Sequence, residues 1–353
     1  MLVFHFAHEH PSVRSFQSLC GNREEDHKWW FVEDHVRPEA TDGDPDVVVV
    51  HRMKTPTPEW VSLFPGVPVI WVAWGDDYYR AFPGLLERVY SERTRRLAFF
   101  LGKVSITWPR LGMWMMNGGH NGNRNPSHWA GRVKMVSTLL GSGFPALEFL
   151  PPGVLVLHSW YNAFDYERFG SLKVRHDAHS IILGNSGGLS GNHLDGMAML
   201  RGAVGPEQDV RAVLAYGSKR ARLSIRLLGW TQFGQQWNPL LKRMPGPQYL
   251  KWMTESFALV LPQWRSQSAG TLFLSLWIGH RIFLHSRNPL FSVLKEKGFK
   301  VFDIEQLGEA GTLTPLAESE IEYNRNLLKL KFNNEAIHAS LDDAFDGIRN
   351  GLK

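Results

Sequence analysis

Cysteine is almost missing from this sequence, with one residue, Cys20, in 353. A single thiol excludes a disulfide framework and any cysteine-rich zinc site. Long hydrophobic runs are missing too. The strongest, Val67–Trp74 and Phe257–Pro262, fall well short of the roughly 18 residues that a spanning helix needs. Met1–Ala7 is apolar but carries no basic leader and no small-residue cleavage site. The expected location is therefore cytoplasmic, with any membrane contact peripheral and at the inner face of the inner membrane. Net charge is small: 39 Lys+Arg against 34 Asp+Glu leaves +5. No basic stripe is interleaved with aromatics, so nucleic acid is not an expected partner. Solenoid-length repeats and low-complexity segments are also lacking.

What is present is the composition of a folded protein, 43% hydrophobic and 21% charged. At roughly 150 residues per domain, the length predicts about two domains. Arginine supplies 25 of the 39 basic residues, and its planar fork suits phosphate and carboxylate. Tryptophan is abundant, with 14 residues, which fits stacking platforms, a membrane-facing patch or a large aromatic core.

Short β-branched runs alternate with helical segments, the pattern of parallel sheets wrapped by helices. In the first half, strands are expected at Leu2–Ala7, Trp29–Val32, Asp46–His51 and Val67–Trp74, with helices at Pro58–Phe64 and Leu85–Phe100. The stretch from Thr107 to Pro152 reads as loop with at most one helix. After a charged link (168–177) the alternation restarts at His179–Leu183 and runs to two closing helices, Glu318–Leu330 and Asn334–Arg349. The expected division is 1–168 and 169–353, with the final helix free to pack back on the first half. A ligand is expected in a cleft between two doubly wound halves, at the carboxyl ends of the strands.

Three motifs follow strands. Gly184-Asn185-Ser186-Gly187-Gly188-Leu189-Ser190-Gly191-Asn192-His193 leads into a helix, with glycines for close approach, amides for an anion, and Asn192 placed to cap. It matches neither a dinucleotide fingerprint nor a P-loop. Arg265-Ser266-Gln267-Ser268-Ala269-Gly270-Thr271 repeats the strand-to-helix arrangement, with Arg265 as countercharge. Two such loops on one sheet point to a diphosphate. Trp74-Gly75-Asp76-Asp77 ends the most apolar strand of the first half, where a carboxylate is positioned to act as general base. Two weaker features are read as structural. Asp42–Asp46 is a polar turn, and His5, His8 and His10 are solvated histidines without an acidic cluster. The Trp/Met-rich stretch from Trp108 to Trp129 reads as buried packing or as an acceptor or lipid platform.

Together the motifs resemble the family of 4-acetamido-4,6-dideoxy-D-galactose (Fuc4NAc) transferases of enterobacterial common antigen synthesis, over about Val69–Pro289. Trp74-Gly75-x-Asp77 is similar to its W-G-x-D, and Gly184-Asn185-Ser186-Gly187-x-x-Ser190-x-x-His193 to its G-N-S-G-x-x-S-x-x-H. Tyr216-Gly217 is similar to the family's short G-Y or Y-G turn after the next strand. Arg265-x-Gln267-x-x-Gly270-Thr271-Leu272 resembles its R-Q-Q-G-I-G-T-L region, and Arg287-Asn288-Pro289 its E-N-P. The stretch 107–145 stands apart as an insertion.

The resemblance implies a GT-B fold, an α/β architecture of two Rossmann-like domains. It implies a glycosyltransferase that moves a deoxyamino sugar from a nucleotide diphosphate, TDP in the first instance. The acceptor would be a glycan or a polyprenyl-diphosphate-linked glycan in bacterial surface polysaccharide synthesis. No metal or other cofactor is expected, since helix N-termini and Arg265 would stabilise the leaving diphosphate. Asp77 is the expected base, with Trp74, Gly75 and Asp76 on the acceptor side. Asn185, Ser186, Gly187, His193, Tyr216, Gly217, Arg265, Gln267, Gly270 and Thr271 would bind the donor. Two other classes use the same loops: a sugar-nucleotide epimerase or phosphorylase, and a non-catalytic nucleotide-sugar-binding protein.

Overall fold

A computed structural model describes residues 1–21, 23–54, 56–75, 77–103, 127–161, 164–309 and 311–351. These fall into two compact units. One takes the described residues of Met1–Leu85, Met116–Ala163 and Asn333–Lys353, the other those of Leu86–Met115 and Phe164–Phe332.

The first unit is built on β1 (Leu2–Ala7), β2 (Asp26–Phe31), β3 (Val47–His51), β4 (Val69–Val72), β5 (Val133–Ser137) and β6 (Leu155–Leu157). They pair in parallel in the order β2-β1-β3-β4-β5-β6. β3 is buried along its whole length, as a parallel strand covered on both faces must be. One face presents Val3, Val47, Val49, Ile70, Val72 and Met135. Phe16 and Cys20 of the helix Pro11–Cys20 cover it, with Ile337, Leu341, Ala344 and Phe345 of the helix Asn334–Arg349. The other face packs Phe4 and Phe6 on Trp60 and Phe64.

The C-terminal helix is therefore part of this core, fastened further by the Glu25 carboxylate, which meets both Arg23 and Arg349. Burial raises the Glu25 carboxyl, but the Arg23 hydrogen bond and the Arg349 charge leave it below the usual carboxylate range.

The second unit carries β7 (Ser180–Leu183), β8 (Asp209–Ala212), β9 (Ser256–Leu261), β10 (Arg281–Leu284) and β11 (Phe302–Asp303), all parallel, in the order β11-β10-β9-β7-β8. Ile181, Leu183, Val210, Ala212, Phe257 and Val260 centre its core, against Met197, Leu200, Ile225 and Phe233 of the flanking helices. The helix Glu92–Phe100, from the first half of the sequence, packs here through Ala98 against Leu189 and Ala221.

Differences from sequence expectation have local causes. The single helix expected over Leu85–Phe100 is two, Pro83–Glu87 and Glu92–Phe100, because the Ser91 hydroxyl caps the second by accepting from Thr94 N. The stretch read as loop with at most one helix contains Ser127–Ala130 and the interior strand β5. Four of its five residues are buried, on both faces, and with Lys134 and Ser137 among Val133, Met135 and Val136 the segment shows neither an apolar run nor a regular alternation.

In both sheets the winding reverses between the first and third strands, β1/β3 and β7/β9. That reversal defines the switch point where ligands of open α/β sheets collect.

Phe345 is completely buried in the first unit's core. Phe345→Ala is expected to cost about 3–5 kcal/mol, read as a lower urea midpoint at unchanged m.

Candidate functional site

The second unit's switch point is formed by the loops after β7 and β9, the two anion loops read from sequence. Gly184 leaves β7 at φ +68 and Asn192 enters the next helix at φ +47, both left-handed. Between them the His193 ring fills the space that glycines leave. A Cβ on Gly184 would lie 2.6 Å from its Nε2, and one on Gly191 would lie 2.5 Å from its Cε1. His193 is buried, both ring nitrogens lack a protein partner, and burial lowers it to about 4. The ring is neutral at pH 7, offering one N–H and one lone pair.

The loop after β8 is locked to this one. Gly187 N donates to Tyr216 O at 2.9 Å, and the Tyr216 hydroxyl donates to Asn185 O at 2.6 Å. Gly217, at φ +116, sits so close that a Cβ would come within 2.8 Å of the Gly187 carbonyl. Beneath the turn Arg222 donates to Leu214 O and Ala215 O, each at 3.2 Å. Arg222 carries no motif in the sequence.

The loop after β9 reaches the same place. Gln267 bonds Asn185 Oδ1 through Nε2 at 3.4 Å, and its Oε1 accepts from Arg265 Nε at 2.7 Å and Ser190 Oγ at 3.3 Å. Ser268 is left-handed at φ +72 and opens the helix Ala269–Ile278, which puts Gly270 and Thr271 in its first turn. A Cβ at Gly270 would meet nothing within 4 Å, so its backbone is open to close approach. The structure thus brings together Asn185, Gly187, Tyr216, Gly217, Arg265 and Gln267, with His193 beneath them. Ser186, Gly270 and Thr271 stand on the same loops.

Asn192 does not cap its helix. Its buried amide instead accepts from Ser91 N at 3.2 Å and donates to Val89 O at 3.1 Å, while Asp195 takes the Ser91 hydroxyl. The cap expected from sequence is lost because the left-handed backbone turns the side chain toward this neighbouring turn.

On this edge sequence reading missed Gln263 and Trp264, and gave no role to Ser268 or Asn288 within the motifs it quoted. Gln263 is completely buried with neither end of its amide bonded, and Trp264 Nε1, Ser268 Oγ and Asn288 Nδ2 are likewise buried without partners. Trp264 lies edge-on to His285, with centroids 5.4 Å apart, and Arg287 stacks 4.3 Å from its ring centre. Buried polar atoms are almost always bonded; with His193 these form a group of unpaired atoms along the β7, β9 and β10 loops, while others in the unit, among them Gln232 Oε1, Trp237 Nε1 and Ser275 Oγ, lie elsewhere. Gln263 gave no signal because a lone Gln after an apolar strand has no pattern.

In the first unit, Asp77 follows β4 and is buried. Its Oδ2 accepts from Met53 N at 3.0 Å and Trp71 Nε1 at 2.9 Å, and its Oδ1 from Tyr78 N at 2.9 Å. The carboxylate therefore ties the ends of β3 and β4 together. Trp74 and Gly75 are half-buried beside it, and Trp74 packs against Tyr161 at 5.3 Å and His10 at 4.6 Å. Asp76 lies outside the described residues, as does the platform segment 108–126. Trp129, at the end of that segment, is buried against Trp71 and Phe82. His5, expected to be solvated, is completely enclosed. Cys20 is buried, which pushes its thiol up to about 12, so it is not a nucleophile near neutral pH. Among the described residues no helix is long and apolar enough to cross a membrane.

No protein-family model and no curated protein matches the chain. Solved structures do. Sucrose-phosphate synthase from Thermosynechococcus elongatus is 8% identical with a TM-score of 0.62, covering 99% of both chains. HepE from Anabaena, in complex with UDP and glucose, is 7% identical with a TM-score of 0.56, covering 98% of this chain and all of its own. UDP-GlcNAc 2-epimerase from Neisseria meningitidis, bound to UDP-GlcNAc, is 11% identical with a TM-score of 0.50, covering 98% and 100%. With two parallel α/β units, the chain has the GT-B fold.

Two measurements test the packing. Gly191→Ala is expected to destabilise by about 1–3 kcal/mol through overpacking, and His193→Ala in the same chain should remove most of that cost in a double-mutant cycle. His193 and His280 are both lowered to about 4 by burial. The unfolded chain takes up those protons from about pH 6.5 downward and the native chain does not until about pH 4, so stability falls as pH drops through that window. Each histidine contributes up to about 3 kcal/mol, and calorimetric melting should show a shallower slope in His193→Gln.

Proposed function

We propose that the protein is a glycosyltransferase whose second unit binds a nucleotide-diphosphate sugar on the loops after β7, β8 and β9. The observation that carries the reading is the set of buried, unpaired polar groups at the carboxyl edge of that sheet, His193, Gln263, Trp264, Ser268 and Asn288. They sit around two loop-to-helix entries whose amides suit phosphate. The fold agrees, since structures of this architecture have been solved with UDP and UDP-sugars.

In this reading the diphosphate lies over Ser186, Gly187, Gly270 and Thr271, with Arg265 as countercharge and Gln267 and Asn185 holding the loops in register. Negative charge grows on the leaving diphosphate as the glycosidic bond breaks. Preorganised amides and the guanidinium stabilise it without reorganising, so the transfer proceeds without a metal. Tyr216 and Gly217 brace the first of these loops. The sugar is a deoxyamino sugar of the Fuc4NAc kind, linked to TDP, and the acceptor a glycan or a polyprenyl-diphosphate-linked glycan of bacterial surface polysaccharide. The acceptor hydroxyl is handled at the carboxyl edge of the first unit, by Trp74, Gly75, Asp76 and Asp77, with Asp77 as base. The protein works in the cytoplasm, in peripheral contact with the inner face of the inner membrane.

A thermal-shift panel of TDP, UDP, GDP and their sugars tests the donor site. A nucleotide at a hundred times its Kd adds about 2.7 kcal/mol, which raises the melting temperature by roughly 5–10 °C. The absence of a shift with every nucleotide would sink the assignment. Arg265→Ala should weaken nucleotide binding by roughly 10–100-fold, the loss of charge-assisted hydrogen bonds worth about 1.5–3 kcal/mol.

Incubation with sugar nucleotide alone separates the neighbouring chemistries. A transferase leaves the sugar's configuration unchanged and waits for acceptor, whereas an epimerase converts the donor by itself. Asp77→Asn is expected to lower kcat at least 100-fold with nucleotide affinity retained. A variant that melts earlier yet turns over normally would make Asp77 an anchor of β3 and β4 only.

A further inference from the structure

The transfer leaves unused a group of side chains buried in the first unit. His5, midway along β1, lies flat on Trp29 with ring centroids 3.9 Å apart. Its Nε2 meets His27 Nδ1 at 2.8 Å, and its Nδ1 meets His51 Nε2 at 2.9 Å. Cys20, the last residue of the helix Pro11–Cys20, closes on the same point. One ligand atom each from His5, Cys20 and His27 lie within 4.8 Å of one another. Behind this trio stand two more partners. The Tyr161 hydroxyl bonds His51 Nδ1, and the Glu25 carboxylate faces His27 Nε2 at 3.9 Å.

We propose that His5, His27 and Cys20 are a binding site for a zinc-type divalent transition-metal ion, within the body of the first unit and away from its strand-end loops. Two imidazoles and a thiolate are the donors such an ion prefers over oxygen-binding calcium or magnesium. A tetrahedral ion, with bonds of about 2.1 Å to nitrogen and 2.3 Å to sulfur, holds its ligands roughly 3.5 Å apart. From 2.8 Å the two imidazoles need to part by under an ångström, the thiol, at most 4.8 Å from either nitrogen, needs to close by no more than about 1.3 Å, and a water completes the tetrahedron.

The surroundings match what metal-binding histidines require, an acceptor for the ring nitrogen that does not bind metal. His5 Nδ1–H donates to His51, which is held by Tyr161. His27 Nε2–H points at Glu25, whose carboxylate Arg23 and Arg349 fix in place. Without an ion His27 Nε2 is buried with no hydrogen-bond partner, a cost that loading converts into a charge-assisted contact. The protons balance. Cys20 releases its thiol proton on loading, the His5 and His27 ring protons occupy Nδ1 and Nε2, and the thiolate offsets one of the ion's two positive charges, Glu25 being already paired with Arg23 and Arg349. The ion clasps β1 and β2 to the helix Pro11–Cys20, on the face that the C-terminal helix covers.

Cobalt titration of the full-length, chelator-treated protein tests this. One equivalent of Co²⁺ is expected to bind, with tetrahedral visible bands and a thiolate-to-cobalt charge-transfer band in the near ultraviolet. Zn²⁺ should displace it and raise the melting temperature. Cys20→Ala keeps the fold by circular dichroism, loses the charge-transfer band and binds at least 10-fold more weakly. Glu25→Gln, which leaves the three ligands intact, should cost about 10–100-fold in affinity. The proposal is overturned if a natively melting chain takes up no stoichiometric Co²⁺, or if Cys20→Ala binds with wild-type affinity and spectrum. Neither readout involves a nucleotide or a sugar, so its failure leaves the transferase reading standing, and the reverse holds.

Discussion

The seating of the His193 ring between Gly184 and Gly191 governs the carboxyl edge of the second unit's sheet. With side chains at either glycine, the imidazole would have to move, and the loop Gly184–Asn192 with it. That loop then sets the others. Gly187 accepts the close approach of Gly217, Tyr216 spans to Asn185, and Gln267 reaches Asn185 from the next strand's loop. Removing the ring leaves a hole and enlarging a glycine displaces it, so three loops share one steric constraint. Rigid seating of this kind keeps amides and side chains in place before a ligand arrives, which is the condition for electrostatic stabilisation of a leaving group.

Strain accompanies that arrangement. Among the described residues, four that are not glycine have a left-handed backbone, and three of them, Arg52, Asn192 and Ser268, follow strands β3, β7 and β9. Left-handed non-glycine residues persist only where surrounding contacts over-determine them. Here those contacts are long-range, as in the grip of Asn192 on Val89 and Ser91. The two units differ in how they treat polarity. The second leaves several polar atoms unpaired on the loops after its strands, those of Gln263, Trp264, Ser268 and Asn288 among them. The first buries a connected row, Tyr161, His51, His5 and His27, on one face of its sheet.

Much of this was legible in the chain. The fold class follows from alternating apolar runs and helical stretches, and the motif loops from glycine clusters set between strand and helix. Such features are local, and local chemistry is written in adjacent residues. The misses share a cause as well. β5 lies in a run with no period, because a strand buried on both faces has no polar alternation to display. Gln263 and Arg222 carry no motif, since their roles depend on strands and loops distant in sequence. Solvation of His5 was misjudged, though His10 is exposed as expected, because His5 alternates with apolar residues along β1, and only the helices Pro11–Cys20 and Asn334–Arg349 close over that face.

The sequence by itself thus determined the parallel α/β architecture and the loops at β7 and β9, because strand propensity, glycine and helix entry act over a few residues. Tertiary structure alone decided which polar groups end without partners, where Asn192 spends its amide, and that His5, His27 and Cys20 meet. Those outcomes depend on which segments the sheets bring side by side, and burial changes the energetic meaning of a residue without changing its letter.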